Sequence, residues 1–509
     1  MIERAYRALK KRKYYRLLTL LLCIALTLTL AACGGSSAGE TTAAPAETTA
    51  GSAKPAAPQT LLLPYSRADS LNPFQSKSLV NRQLATLLYD GLFRLDESWK
   101  PVPQLAVSFK FEDAKTLAVT LGSAPYSDGS SVTAQQVRES FLLAKKSGYY
   151  AQRLANFDAV TVRGNTLVFA LHTPDPYAAA CLDFAVVKNP DAKIPVGSGR
   201  YVYHAAKNGA ELRANTRLTD FSPAVTTITL ADASDSKTLL NSIAIGSVSV
   251  AFHELGDGKF QRISATALET ALNNLVFLGF NSRKPTASTA AFRQAVQLLL
   301  DRSALVTTPF QGHARAASTP FNPDWYALNG TSGAAAPDNA AAQTLLNEAG
   351  LTAEKLGQVT LVLLVYKGNE FKLAAANAIA AQLKSAGIPI TVSALSKKDY
   401  NAALKSGSYD MYLGEIKLSA NMNLDPFFTE GGATATGLPA NGASAAAYQK
   451  LRAGEITLAD FLTAYEAELP FLALCYRNGI TAHARVLSLP QKRHEADIYG
   501  DIAQWQFVR

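Results

Sequence analysis

Histidines and carboxylates are the side chains in this sequence that most often bind metals or act as catalytic bases. The six histidines are scattered, and the nearest approach to a metal motif, His253-Glu254, has no second histidine close by. A zinc hydrolase of the His-Glu-x-x-His type needs two histidines four residues apart on one helix. Beyond residue 59 there is also no Gly-x-Ser-x-Gly nucleophile elbow, glycine-rich phosphate loop or EF-hand loop. The sequence therefore argues against an enzyme, a bound metal or another cofactor.

Residues 1–32 have the pattern of a bacterial export signal. Seven basic residues precede an apolar run from Leu17 to Ala32, which is shorter than the roughly 20 residues of a stable transmembrane helix. The run ends in Leu-Ala-Ala followed by Cys33, which resembles the lipobox of bacterial lipoproteins. We predict that the signal is cut before Cys33 and that the thiol of Cys33 is lipidated. An ordinary secretory signal with a chance cysteine is the alternative.

Composition separates a tether from a folded part. Residues 34–58 contain only Gly, Ser, Ala, Thr, Glu, Pro and one Lys, so they cannot bury enough apolar surface to fold, and we predict a disordered tether over residues 33–58. The net charge of +9 includes seven basic residues and one acidic residue of the signal, and it falls to +3 without them. A chain of such low charge is not expected to bind nucleic acid.

Two cysteines of the folded part, Cys181 and Cys475, lie in apolar runs. They could pair with each other or remain free, and the apolar surroundings favour buried free thiols.

Periodicity places several helices and strands. Alternating apolar residues predict strands over residues 116–121, 166–171 and 226–230. Thr133 and Gln136 form a capping-box pattern at the start of a helix, and further helices are predicted around residues 292–299 and 338–350. Residues 359–366, 370–386 and 388–392 read as strand, helix and strand, which is typical of a parallel pair with a crossover helix. The class indicated is a mixed α/β protein in two lobes.

Short segments spread over the folded part form a recognisable series. They are Ser70-Leu71-Asn72-Pro73-Phe74, Tyr89-Asp90-Gly91-Leu92, Pro103-Gln104-Leu105-Ala106, Tyr126-Ser127-Asp128-Gly129, Gly197-Ser198-Gly199-Arg200-Tyr201, Phe292-Arg293-Gln294-Ala295 with Asp301-Arg302, and Gln382-Leu383 with Gly387-Ile388. In order and spacing, these segments resemble the family 5 extracellular solute-binding proteins, which are the oligopeptide, dipeptide and nickel binders of bacterial ABC transporters.

The resemblance implies a two-lobed clamshell of the periplasmic-binding-protein type, class II, with a subdomain inserted in the N-terminal lobe. That lobe would comprise residues 59–92, 182–274 and 476–509, the insertion residues 93–181, and the second lobe residues 275–475. The two chain crossings would act as a hinge that closes on ligand.

The resemblance also implies a role and a place in the cell. The protein would be a monomer outside the cytoplasm, at the cell surface or in the periplasm, and lipid-anchored to the cell membrane. It would deliver a small solute, a peptide above all, to the permease and ATPase subunits of an ABC importer.

Candidate ligand contacts follow from the same resemblance. Lys77, Ser78 and Leu79 match the cleft strand of the N-terminal lobe. The matching positions of the second lobe are Val276, Phe277, Gly414, Glu415 and Lys417.

Four side chains carry the expected ligand chemistry. Peptide-binding relatives have a Gly-Trp-x-Ala-Asp run whose Asp receives the peptide ammonium, whereas this chain has Glu415 in place of the Trp and no clean match to the Asp. Glu415 or Asp425 would then receive a cationic group of the ligand, unless Glu415 pairs with Lys417. Trp325 and Tyr366 would stack on the ligand, or else pack under a loop and at a strand end.

Two other readings keep the fold and change the use. One is a receptor that presents its ligand-bound state to a membrane sensor. The other is a binder of nickel or a metal chelate.

Overall fold

The structure, a computed structural model, describes residues 60–207, 209–233, 236–259, 265–330, 335–439, 442–490 and 492–508. The predicted signal peptide, Cys33 and the predicted tether lie outside these ranges.

The β-strands of the described residues are numbered in chain order. They are β1 (Leu61–Tyr65), β2 (Phe93–Leu95), β3 (Pro101–Pro103), β4 (Ala106–Asp113), β5 (Thr116–Leu121), β6 (Phe157–Arg163), β7 (Thr166–Leu171), β8 (Tyr201–Ala206), β9 (Gly209–Ala214), β10 (Thr227–Asp232), β11 (Val250–His253), β12 (Thr266–Phe280), β13 (Ala314–Ala316), β14 (Leu361–Tyr366), β15 (Ile390–Leu395), β16 (Met411–Lys417), β17 (Phe471–His483), β18 (Leu487–Ser488) and β19 (Gln506–Phe507).

The α-helices are numbered in the same way. They are α1 (Leu79–Leu88), α2 (Ala134–Ala144), α3 (Ser236–Ala244), α4 (Ala290–Leu299), α5 (Arg302–Thr307), α6 (Asn339–Glu348), α7 (Ala353–Gly357), α8 (Glu370–Ser385), α9 (Lys397–Ser406), α10 (Asp425–Phe428), α11 (Ala443–Ala453) and α12 (Leu458–Glu468).

The first sheet has the strand order β1-β10-β9-β8. Strand β1 runs parallel to β10, and the remaining pairs are antiparallel. Leu61, Leu63 and Ile228 turn inward from this sheet and are fully buried with Leu84 of helix α1. The predicted strand over residues 226–230 is therefore confirmed as β10.

A second, wholly antiparallel sheet has the order β4-β5-β7-β6 and is covered by helix α2. The capping box that begins α2 is present as predicted, because the Thr133 hydroxyl accepts from the Gln136 N–H while the Gln136 side chain bonds back to Thr133. Phe141 of α2 packs edge-on against Phe169 of β7, with ring centroids 5.1 Å apart. The predicted strands over residues 116–121 and 166–171 are confirmed as β5 and β7.

The large third sheet has the order β11-β17-β12-β16-β14-β15, with β13 added to β17. Strands β14 and β15 are parallel and joined through helix α8, which confirms the predicted strand, helix and strand. Helices α4 and α6 also form where they were predicted. Every residue of β17 is buried, because this strand is paired on both sides within the sheet.

Strands β12 and β17 are the longest and run through the whole sheet. The two strands pair with each other along most of their length. At one end β17 also pairs with β11, and from Asn274 onward β12 also pairs with β16. The ladder between them is irregular between Ala271 and Asn274 and again between Val276 and Phe277. Extra residues of this kind bend a strand and increase its twist, so the two strands change direction here.

Lys77, Ser78 and Leu79 do not form the strand that was expected. The carboxylate of Asp69 accepts from the backbone N–H groups of Lys77 and Ser78, at 2.9 and 2.7 Å, and the Ser78 hydroxyl then caps helix α1. With these bonds the chain begins helix α1 at Leu79 instead of forming a strand, so the expectation of a cleft strand at these positions is wrong.

The burial of the two cysteines can be compared with the prediction. Cys181 and Cys475 are both buried and unpaired, as the apolar surroundings predicted. Within the described ranges, no helix combines the length and the apolar character needed to cross a membrane.

Candidate functional site

A cavity of about 400 Å³ lies between the ends of the second sheet and the segment that follows β16. One wall comes from residues 152–157 and 172–175, and the other from residues 417–433. We call it the Asn421 cavity. Its polar and charged lining includes Arg153, Asp175, Lys417, Asn421, Asn423 and Asp425.

The cations on the walls of the Asn421 cavity are already paired. Arg153 bonds to both carboxylate oxygens of Asp183, at 2.6 and 2.8 Å. Lys417 pairs with Glu254 at 3.0 Å and also with Glu495. Because these charges are satisfied within the protein, they do not make the cavity a strong anion site.

Hydrogen-bond acceptors, by contrast, remain available in the cavity. The Asn421 Nδ2 donates to the Asp175 carboxylate at 2.6 Å, which fixes the orientation of the amide. Asn421 Oδ1 is buried and has no hydrogen-bond partner among the described residues. Asp425 is half-buried and forms no ion pair with any residue in the described ranges. An acceptor left without a donor is costly to bury, so the cavity is suited to a ligand that brings N–H groups.

Asp175 connects the two walls of the cavity. It is 1% exposed and lies 3.4 Å from Arg452 Nη2, while Arg452 Nε donates to the Pro174 carbonyl at 2.9 Å. Burial raises the pKa of Asp175, and the attraction of Arg452 and the bond from Asn421 only partly offset that effect. The pair therefore holds residues 174–175 against helix α11 at the edge of the cavity.

Glu415 lies two residues before Lys417 on β16 and is enclosed by donors. Its carboxylate accepts from Arg477 Nε at 2.7 Å and from Asn274 at 2.9 Å, and it pairs with Lys372 at 3.1 Å. Burial alone would raise the pKa of Glu415, but Arg477 and Lys372 outweigh it and hold the pKa at about 2. The alternative pairing of Glu415 with Lys417 does not form, since Lys417 turns to Glu254 and Glu495.

Several other predicted contacts lie in the core rather than in the cavity. Val276, Phe277 and Gly414 are buried, and the Phe277 ring packs against Tyr412, Phe427 and Phe471. Lys77, Ser78 and Leu79 do not line the Asn421 cavity.

The two aromatic candidates also pack within the protein. Trp325 is 2% exposed and lies edge-on to Tyr177, at 4.7 Å between ring centroids. The hydroxyl of Tyr366 lies against Gly368. Of the predicted site residues, Lys417 and Asp425 thus line the cavity together, and Glu415 lies just beyond them.

Sequence reasoning did not single out Asp175, Asn421 or Arg452. The run of Asn421, Asn423 and Asp425 is a local signal for a polar loop, and it could have drawn attention to Asn421. The pairing of Asp175 with Arg452 has no signal in the sequence, because the two residues lie on separate elements far apart in the chain.

The interpretation as a nickel binder would be supported by a preformed metal site. Within the described ranges, no group of three or more histidine, cysteine, aspartate or glutamate side chains is placed to hold a metal ion.

The three larger sheets and the helices packed against them define a mixed α/β fold. The sequence matches the family described as bacterial extracellular solute-binding proteins, family 5 middle, over residues 100–436. This match spans more than half of the chain, so the protein belongs to that family, as the resemblance predicted.

Named relatives point the same way. The chain is 25% identical over 327 residues to ABC transporter peptide-binding proteins of Brucella ovis and Brucella abortus. The match covers 59% of this chain and 62% of each relative, so the chain spans less than two thirds of their length.

Solved structures show the fold. The periplasmic murein tripeptide-binding protein MppA, in its unliganded open form, matches with a TM-score of 0.70 at 18% identity, over 86% of this chain and 97% of that one. A nickel ABC transporter protein from Bacillus halodurans matches with a TM-score of 0.68 at 16% identity, over 88% and 99%. The substrate-binding protein CtaP from Listeria monocytogenes gives 0.67 at 17%, over 89% and 99%. The predicted two-lobed α/β architecture is confirmed by these matches.

Proposed function

We propose that this chain is the extracytoplasmic substrate-binding component of an ABC importer, and that it captures a small solute, with a peptide as the first candidate. The observation that carries the proposal is the Asn421 cavity. It lies between two walls of different origin, its cations are neutralised, and it keeps a buried acceptor without a donor. Membership of the solute-binding family and the names of the Brucella relatives support this use.

The ligand would be held mainly through its N–H groups. An ammonium or amide of the ligand would donate to Asn421 Oδ1 and to the carboxylate of Asp425, which lines the same cavity. A charge-assisted hydrogen bond of this kind contributes roughly 1.5 to 3 kcal/mol. A cavity of about 400 Å³ matches the size range of small-molecule sites, which begins near 300 Å³.

Glu415 would act on the site indirectly. Because Arg477 and Lys372 occupy its carboxylate, we propose that it positions β16, and with it Lys417, rather than binding a ligand cation. The direct contacts that we retain from the sequence are Lys417 and Asp425.

The lobes would divide as the resemblance implied, with residues 59–92, 182–274 and 476–509 in one, residues 93–181 inserted in it, and residues 275–475 in the other. The irregular ladder between Ala271 and Phe277 falls at the proposed crossing, which supports a hinge there. Closure would then be driven by contacts that the ligand makes with both lobes.

The remaining proposals concern the setting of the protein. A lipid on Cys33 would hold it to the outer face of the cell membrane as a monomer, with residues 33–58 as the tether. From there it would present its ligand to the permease, while ATPase subunits supply the energy for import.

A binding screen with the full chain tests the proposed function. Pools of di-, tri- and oligopeptides would be compared with sugars and with nickel plus histidine in a thermal-shift assay. A ligand at 100 times its Kd stabilises the native state by about 2.7 kcal/mol, which raises the melting temperature by a few degrees.

Matched variants assign a hit to the cavity. We expect Asp425→Asn and Asn421→Leu each to weaken the binding of a peptide at least tenfold by calorimetry. Asp191→Asn, an exposed carboxylate outside the cavity, should leave it unchanged. If both cavity variants still bind the peptide with unchanged affinity, the Asn421 cavity is not the binding site. If no peptide pool raises the melting temperature, a peptide is not the ligand.

A further inference from the structure

A second cavity, of about 380 Å³, lies beside the two long strands at the centre of the large sheet. Its floor is formed by Glu269 and Ala271 of β12 and Asn478 of β17. One side comes from residues 97–98 and 492–493, and the other from Arg315 and Asp324. We call it the Asn478 cavity. It shares no lining residue with the Asn421 cavity.

The Asn478 cavity is on the opposite face of β17 from Glu415. Successive side chains of a strand point to opposite faces, and Arg477 turns to Glu415. Asn478 therefore points the other way, on the face where the hydroxyl of Tyr476 bonds to the Pro320 carbonyl at 2.8 Å. A ligand in this cavity would not meet the Glu415 cluster.

Side chains of both charges line the Asn478 cavity. The carboxylates are those of Glu97, Glu269 and Asp324, and the cations are Arg315, Lys492 and Arg493, of which Arg493 is paired with Asp501 outside the lining at 3.0 Å. The Lys492 to Glu97 pair is 3.2 Å long, and both of its side chains are more than half exposed. Exposed pairs of this kind are held by 1 kcal/mol or less, so a charged ligand can replace them at little cost. A lining that carries charges of both signs favours a ligand that does the same.

Three buried polar atoms of the lining, Asn478 Oδ1, Arg315 Nε and Arg493 Nε, have no hydrogen-bond partner among the described residues. Asn478 is 5% exposed, and its Oδ1 has no hydrogen-bond partner among the described residues. Arg315 Nε is likewise buried without an acceptor, although the rest of that guanidinium bonds to Asp324 and Asn322. The unpartnered Asn478 oxygen is an acceptor, and the two unpartnered arginine nitrogens are donors. A molecule with an ammonium group and a carboxylate would satisfy both kinds of group.

We propose that the Asn478 cavity binds a small zwitterion of amino-acid size. Its ammonium group is received by Asn478 Oδ1 and by the Glu269 carboxylate, which also bonds to His313 at 2.8 Å, and its carboxylate is received by Arg315. This site is additional to the solute site at Asn421, and it does not rest on the proposed importer function. Because residues 97–98 and 492–493 line one side of the cavity and Arg315 and Asp324 line the other, an occupant would contact both sides.

Titration calorimetry of the full chain with L-glutamine and two single-charge analogues tests the chemistry of the site. The analogues are 4-carbamoylbutanoate, which lacks the ammonium, and 4-aminobutanamide, which lacks the carboxylate. We expect saturable binding of glutamine that weakens at least tenfold for each analogue. Equal binding of glutamine and either analogue would overturn the zwitterion assignment, and so would a lack of glutamine binding.

Variants locate the binding. Ala271→Leu fills the cavity from its floor, and Asn478→Leu removes the acceptor at similar volume. Each should weaken glutamine binding at least tenfold, whereas Asn421→Leu should not change it. Melting temperatures check that the variants fold. If Asn478→Leu does not fold, Ala271→Leu alone decides the test. Loss of binding in Asn421→Leu alone would place glutamine in the other cavity and overturn the proposal.

Discussion

The carboxylate of Asp175 and the guanidinium of Arg452 lie 3.4 Å apart, with 1% and 5% of their side chains exposed. Asp175 follows the second sheet, and Arg452 lies on helix α11, so the pair joins two parts of the chain that are far apart in sequence. The same Asp175 carboxylate orients Asn421, whose free oxygen defines the proposed ligand site. This buried pair therefore links the contact between the two walls to the chemistry of the cavity.

Removing one partner of this pair should be strongly destabilising. Arg452→Leu leaves the Asp175 carboxylate buried without a cation, which typically costs about 3 to 5 kcal/mol. We expect that loss in urea unfolding at pH 7. The double variant Asp175→Asn with Arg452→Leu should recover at least half of it, because no buried charge is then left unpaired. A loss below about 1 kcal/mol for Arg452→Leu would contradict the buried pair.

Acid should weaken the protein partly through Glu415. Its pKa in the folded state is about 2, below the ordinary 4.5, so the folded state holds fewer protons on this group than the unfolded state does. The stabilisation is complete above pH 4.5 and is lost as the pH falls towards 2, by an amount on the order of 3 kcal/mol.

This pH dependence can be checked by measuring the free energy of unfolding of Glu415→Gln and of the wild type from pH 7 to pH 2.5. The variant should be less stable than the wild type at pH 7, and the difference should shrink as the pH falls. A difference that stays constant with pH would mean that Glu415 is not held ionised by Arg477 and Lys372.

Gly414 should matter for packing rather than for direct ligand contact. A methyl group at this position would meet the ring of Phe277, which is held between Tyr412, Phe427 and Phe471. We expect Gly414→Ala to cost about 1 to 3 kcal/mol in chemical unfolding. Gly357→Ala is the matched control, because the space around Gly357 at the end of helix α7 is open and the change should be neutral or stabilising by up to about 1 kcal/mol.

Cys181 and Cys475 should be unreactive in the native protein. Both thiols are fully buried, and burial raises the pKa of each, so little thiolate forms at neutral pH. Labelling with iodoacetamide at pH 8, followed by peptide mass mapping, should leave both unmodified until the protein is unfolded in guanidinium. Rapid native labelling of either thiol would show that its environment opens in solution.

Local features of the fold could be predicted because their signals are local. The Thr133 and Gln136 capping box lies within one helical turn, and the strand, helix and strand over residues 361–395 follow from apolar runs of the right length. The segments that resemble the solute-binding family likewise keep their order along the chain, and they indicated the two-lobed class correctly.

The predicted cleft residues show that local signals do not predict contacts between distant parts of the chain. Lys77, Ser78 and Leu79 were matched to a strand, but the Asp69 carboxylate accepts from the N–H groups of Lys77 and Ser78, and Leu79 begins helix α1. Glu415 was expected to be open to a ligand cation, but Arg477 and Lys372 reach it from another strand and from a helix. Neither partner can be inferred from the residues around Glu415.

By itself, therefore, the sequence determined those helices and strands whose signals are local, and the family to which the chain belongs. Only the tertiary structure decided which polar groups remain unpaired and so are open to a ligand. The physical reason is that side-chain periodicity determines which residues share a face of one element. Which faces meet, and therefore which charges neutralise each other, depends on packing between elements such as those of Asp175 and Arg452, far apart in the chain.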